Sequence, residues 1–149
     1  MRLFSFSAVI ATAVIIATPS STLAQHTSPD NLHDVTSMDT FKHYISKPKI
    51  TVVDFFATWC APCKHFAPTF HTWPQQYPHI QFLTVDVEQN YDIAEKQRIR
   101  SMPTVKVYKD GKEIKSWSPL KIQDIIQMLD KAEIEAKEEE SDTMLRHAE

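Results

Sequence analysis

Ile50-Thr51-Val52-Val53-Asp54-Phe55-Phe56-Ala57-Thr58-Trp59-Cys60-Ala61-Pro62-Cys63-Lys64 begins with one kind of periodicity and ends with another. From Ile50 to Ala57 the run is nearly all apolar and rich in β-branched and aromatic residues, the pattern of a strand covered on both faces and central in its sheet. Two cysteines follow at once. From Ala61 to about Tyr77 apolar residues then recur at helical spacing, with Pro68 inside, where a missing N–H and a bulky ring predict a kink. The quoted residues therefore describe a buried strand that feeds a helix through a pair of thiols.

The flanking sequence extends this unit in both directions. Upstream, residues up to Asp34 read as a polar lead-in. Ser37 fits an N-cap for a helix over Met38–Ser46, with Phe41, Tyr44 and Ile45 on one face and Pro48 ending it. Downstream, Ile80–Asp86 has the pattern of a second buried strand and Asp92–Arg98 that of a short helix. Thr104–Tyr108 and Glu113–Trp117 alternate as strands about Lys109-Asp110-Gly111-Lys112, an Asp-Gly hairpin turn. A last amphipathic helix begins after Pro119 and is expected to bury Leu120, Ile122, Ile125, Ile126 and Leu129. It decays into Lys137-Glu138-Glu139-Glu140, so residues 136–149 read as a charged, flexible tail. The order is βα, βαβα, ββα, which implies a three-layer α/β/α sandwich on a mixed sheet. In such sheets ligands and chemistry collect beyond the carboxyl ends of strands, where Cys60 and Cys63 fall.

The chain has 149 residues, 42% hydrophobic and 23% charged, as expected of one globular domain. A net charge of −3 leaves no basic excess for a phosphate backbone, so nucleic acid is not an expected partner. Gly111 is the only glycine, which excludes Walker and dinucleotide-binding loops. At the start, Met1-Arg2, the apolar stretch Leu3–Ala17 and the small polar segment Thr18–Ala24 have the layout of a secretory signal cleaved before Gln25. Residues 1–24 are thus expected to be a signal peptide and 25–135 the domain. The chain closes Leu145-Arg146-His147-Ala148-Glu149, unlike a retention signal of the Lys-Asp-Glu-Leu type, so secretion is expected. An uncleaved anchor that tethers the protein to a membrane, or residence in the endoplasmic reticulum lumen, are the alternatives.

Cys60 and Cys63 stand three apart at a first helical turn, where side chains share a face and a bridge fits. At that position Cys60 meets free backbone N–H groups and the positive end of the helix dipole, both of which stabilise a thiolate. Cys60 is therefore the expected nucleophile. Cys63, deeper in the helix, is placed to attack a mixed disulfide on Cys60. Pro62 suits the first turn and stiffens the loop between the sulfurs. A zinc half-site is the competing reading, but the chain has no further cysteine and His65 and His71 are expected to face solvent, so no metal is expected. A purely structural bridge is the other alternative, although a four-residue loop stabilises little. Asp54 puts a carboxyl in a buried strand, where burial would raise its pKa and let it exchange protons near neutrality. Trp59 reads as an apolar rim beside the nucleophile.

Val52 to Lys64, Pro68, and Ser101-Met102-Pro103-Thr104 together resemble the thioredoxin family, over about Asp34 to Leu129. The resemblance implies a thioredoxin fold and protein dithiol-disulfide oxidoreductase activity without a bound cofactor. It also implies a cis peptide between Met102 and Pro103, a backbone at Met102 that offers a bound chain an added strand, and Asp54 as the base that activates Cys63. Catalysis is thus expected from Cys60, Cys63 and Asp54, and substrate contact from Trp59, Ala61, Pro62, Met102 and Pro103. The expected partners are disulfide-containing proteins and a reductase or thiol donor, with the protein itself a monomer.

The chain also departs from the family's pattern. Ala61 stands where a glycine is usual, and no histidine lies between the cysteines as in isomerase and strong-oxidant relatives, which leans towards a reductant. Thr84 occupies the place of a lysine that commonly pairs with the buried aspartate, and Ser118-Pro119 replaces a glycine beside the docking surface. An oxidase or isomerase of secretory disulfides, and a redox-inert peptide-binding or chaperone module, are the competing functions.

Overall fold

A computed structural model describes residues 29–147, so the leader expected over 1–24 lies outside the described residues. Nine elements follow one another along the chain. They are β1 (Leu32–Asp34), α1 (Met38–Ile45), β2 (Thr51–Phe56), α2 (Ala61–Gln76), β3 (Gln81–Asp86), α3 (Tyr91–Lys96), β4 (Thr104–Lys109), β5 (Lys112–Trp117) and α4 (Ile122–His147). The sheet order is β1-β3-β2-β4-β5. β1, β3 and β2 run parallel and β4 and β5 antiparallel, which makes the mixed sheet expected from the sequence.

Alternation along the central strands separates two cores. Val52, Phe82, Val105 and Val107 face one side and meet Phe66, Phe70 and Trp73 of α2 and Ile125 and Leu129 of α4. Val53, Phe55, Leu83 and Val85 face the other side and meet Phe41 and Ile45 of α1 and Ile93 of α3. Each helix layer therefore covers one face of β2 and β3, and this is why both strands read as continuous apolar runs. Trp73 and Trp117, with the Phe66 and Phe70 pair, are buried in the core. The hairpin is closed by Asp110 at φ 51° and Gly111 at φ 76°, the two positive values that a type I′ turn demands.

Three expectations are corrected. The polar lead-in ends in a real strand, because Leu32, His33 and Asp34 pair with Phe82, Leu83 and Thr84 at the sheet edge. Asn31 anchors that edge by donating from its amide to the carbonyls of Pro74, Tyr77 and Ile80 at 2.8–3.0 Å. In α4, Ile125 and Leu129 are buried, but Leu120 and Ile126 are only partly so and Ile122 is 38% exposed. Ile122 is the first helical residue, and it sits on a groove instead of on the sheet. Finally, the charged segment from 136 does not loosen into a flexible tail but continues α4 to His147. The physical reason is His79, whose ring nitrogens reach Glu133 at 2.5 Å and Glu140 at 3.0 Å, two turns apart on the helix. The i,i+4 pairs Glu133–Lys137 and Asp142–Arg146 support the same segment.

Candidate active site

Cys60 ends the turn after β2 and is the N-cap of α2, in extended backbone, with Ala61 and Pro62 as the first two helical residues. Its sulfur accepts a hydrogen bond from the Cys63 backbone N–H at 3.2 Å, one of the free donors of a helix start. Cys60 and Cys63 form a disulfide with Cα atoms 5.3 Å apart. Both cysteines are buried, in a small apolar cluster with Ala57 that Phe56, Val87 and Met102 complete. His65 and His71 are exposed, as expected. Among the described residues no group of three His, Cys, Asp or Glu side chains is placed to hold a metal.

Two cavities flank this disulfide. The outer one, about 730 Å³, is a groove lined by Ala61, Pro62, Met102, Pro103, Leu120 and Ile122 among others. The Met102–Pro103 peptide is cis, as the resemblance implied, and so is Ser118–Pro119 on the facing loop. The Ser101 and Ser118 hydroxyls, 2.5 Å apart, tie these two loops together. The groove thus gathers four of the five residues expected to touch substrate. Trp59 is not among its lining; it stands 65% exposed beside the cysteines, its indole N–H donating to Glu88 at 2.8 Å. Sequence reasoning gave Glu88 no role, since it lies 29 positions away and only folding makes it a neighbour.

The inner cavity, about 330 Å³, lies beneath α2, and Asp54, Cys63, Asp34, Thr84, Lys64 and His71 are among the residues that line it. Asp54 is 3% exposed, and its Oδ1 has no hydrogen-bond partner among the described residues. Burial pushes its carboxyl from the ordinary value up to about 7. Thr84 pairs directly opposite Asp54 in the β2–β3 ladder and opposite Asp34 in the β1–β3 ladder. Its hydroxyl donates to Asp34. A hydroxyl has one hydrogen to give, so Thr84 does not replace the missing lysine as a donor to Asp54.

The relatives agree with this geometry. Residues 33–131 match the Thioredoxin family model. The chain belongs to the thioredoxin family. It is 43% identical over 74 residues to Thioredoxin-1 of Saccharomyces cerevisiae, covering 50% of this chain and 72% of that protein. It is 38% identical over 98 residues to Thioredoxin-2 of Pyricularia oryzae, covering 64% of this chain but only 57% of that longer relative. The solved structure of Plasmodium falciparum thioredoxin superposes with a TM-score of 0.61 at 38% identity, over 66% of this chain and 97% of the other. The disulfide at the start of α2 is accordingly the redox centre of a protein dithiol-disulfide oxidoreductase.

Proposed function

We propose that this member of the thioredoxin family reduces disulfides of partner proteins, and that it does so after export from the cell. The observation that carries the reading is the pairing of a bridged Cys60 and Cys63 with an unpartnered buried carboxyl, Asp54, that lines one cavity with Cys63. In the reduced protein the Cys63 amide and the start of α2 stabilise the Cys60 thiolate. Cys60 attacks one sulfur of the partner's disulfide, forming a mixed disulfide and releasing the other partner sulfur as a thiolate. Cys63 then attacks Cys60. The Cys60–Cys63 bond forms, the bond to the partner breaks, the electron pair leaves on the partner's second sulfur, and the Cys63 proton passes to Asp54.

The groove beside the cis Met102–Pro103 bond is where a partner chain would lie as an added strand, with Trp59 as an outer rim. Ala61-Pro62, without a histidine between the cysteines, favours reduction, and a thiol donor must recharge the pair. Export rests on the pattern from Met1 to Ala24. That leader also favours a second reading, disulfide formation or isomerisation, because exported proteins meet an oxidising environment.

The reduction potential separates the two. Equilibrated in glutathione buffers and read by thiol alkylation and mass, the pair is expected near the value of about −270 mV typical of thioredoxin, and a value above about −200 mV would transfer the protein to oxidation or isomerisation. For export, the mass of the secreted protein should place its N-terminus at Gln25, and a chain that retains Met1 would contradict it.

A further inference from the structure

Asp54 takes up a proton in a place that has almost no contact with solvent, and that proton must leave before the next cycle. The lysine usual in its neighbourhood is absent. What the fold supplies instead is a row across three strands: Asp54 on β2, Thr84 opposite it on β3, and Asp34 opposite Thr84 on β1. All three side chains line the cavity that reaches Cys63. Neighbouring strands lie about 4.8 Å apart, so the Asp34 and Asp54 backbones are separated by about 10 Å, with Thr84 on the strand between them and its hydroxyl turned to Asp34. Asp54 is closed off, whereas Asp34 is exposed at the sheet edge. The cavity holds several times the roughly 30 Å³ that one water takes up, and its polar atoms give water partners.

We propose that Asp34 is the outer station of a proton route for Asp54, held in position by Thr84. Asp34 touches neither sulfur and acts through Asp54, so it is a positioning and relay residue, and this inference rests on the redox reading of the site. As Cys63 gives its proton to Asp54, water in the cavity carries a proton from Asp54 on to the Asp34 carboxylate, so that resolution runs no faster than this transfer. Asp34 then loses it to bulk solvent and both carboxyls return to their starting forms. The Thr84 hydrogen bond fixes Asp34 in the wall of the cavity, where a free surface carboxylate would swing into solvent. The other titratable groups around the cavity are Cys63, Lys64 and His71, all on α2. His71 is the rival carrier. Unlike Asp34, it makes no hydrogen bond to a wall of the cavity among the described residues.

The test follows the resolution step alone. Reduced full-length protein is mixed with two short peptides joined by one disulfide, in weak buffer, quenched with an alkylating agent and weighed. Asp34→Asn, which still accepts from Thr84, is expected to slow decay of the Cys60 mixed disulfide about tenfold, and added imidazole should restore the rate to within about twofold by carrying the proton itself. Asp34→Glu should restore most of the rate without imidazole, and Thr84→Val should show a smaller loss that imidazole also rescues. A rate for Asp34→Asn equal to the parent's, a loss that imidazole does not relieve, or the same rescued loss in His71→Gln alone would overturn the proposal. Should Asp34→Asn fail to fold, Thr84→Val decides by the same criterion. If the unmodified protein never forms a mixed disulfide at Cys60, the redox reading itself fails, which is a separate result.

Discussion

Two carboxyl groups of this molecule are equally buried and are treated in opposite ways. Glu133, 4% exposed on α4, is surrounded by partners. The His79 backbone N–H donates to it at 3.2 Å, the His79 ring lies 2.5 Å away and Lys137 stands at 3.6 Å. Asp54, 3% exposed on β2, has an oxygen with no partner and forms no ion pair among the described residues. Removing a carboxylate from water is costly unless hydrogen bonds and an opposite charge offset the loss. Glu133 receives that compensation and knits α4 to the chain before β3. Asp54 receives none, its carboxyl is pushed up to about 7, and it lines a cavity with Cys63. The partnered charge belongs to the scaffold, and the unpartnered one lines a cavity with Cys63, where the proposed mechanism moves a proton.

Substitutions break this comparison at different depths. The largest effect is expected from Cys60→Ser, which removes the proposed nucleophile; disulfide turnover should vanish while binding of a partner peptide persists, and retained turnover would contradict the assignment. Asp54→Asn should leave the mixed disulfide forming normally but slow its resolution about a hundredfold, the ordinary contribution of a positioned general base. Alkylation quench and mass would show the accumulated intermediate. Glu133→Gln should have the inverse profile, with turnover unchanged and about 2 kcal/mol lost from unfolding in denaturant, since a charged acceptor of several bonds is removed. Smallest of all, Arg146→Ala breaks an exposed pair with Asp142 and should change stability by no more than about 0.5 kcal/mol in the same assay. If Glu133→Gln impaired turnover, or Asp54→Asn destabilised the protein at neutral pH, the two charges would not differ as described.

Local pattern made much of the molecule legible. β2 and β3 announce themselves because both faces are covered, and a bridge at a helix start is legible because capping, spacing and the Pro62 position are all local to Cys60–Cys63. What could not be read depends on contacts between distant residues. β1 has three residues, one of them apolar, and exists because it pairs with β3 and is pinned by Asn31. The continuation of α4 depends on His79, more than fifty residues upstream of Glu133. Thr84 could be seen to replace a lysine, but its hydroxyl's choice of Asp34 over Asp54 follows from the register of a strand that the sequence did not reveal. The helical period puts Ile122 in the core, but its position at the start of α4 leaves it 38% exposed.

The difference between the two carboxyls is most directly tested by the pH dependence of unfolding of the oxidised protein, in which the cysteines do not titrate, compared with Asp54→Asn. The carboxyl of Asp54 is raised from 3.8 to about 7 by burial, so the folded chain holds a proton that the unfolded chain has lost. The stability that this proton contributes is fully present below about pH 4 and is lost as pH rises through about 7, beyond which the penalty stays constant. The variant carries no such group. The two stability curves should therefore run together at acid pH and separate between about pH 4 and 7, with Asp54→Asn the more stable by a few kcal/mol above that range. Parallel curves, or a parent protein that gains on the variant as pH rises, would mean that Asp54 has a partner in the fold and is not the unpaired charge on which this account depends.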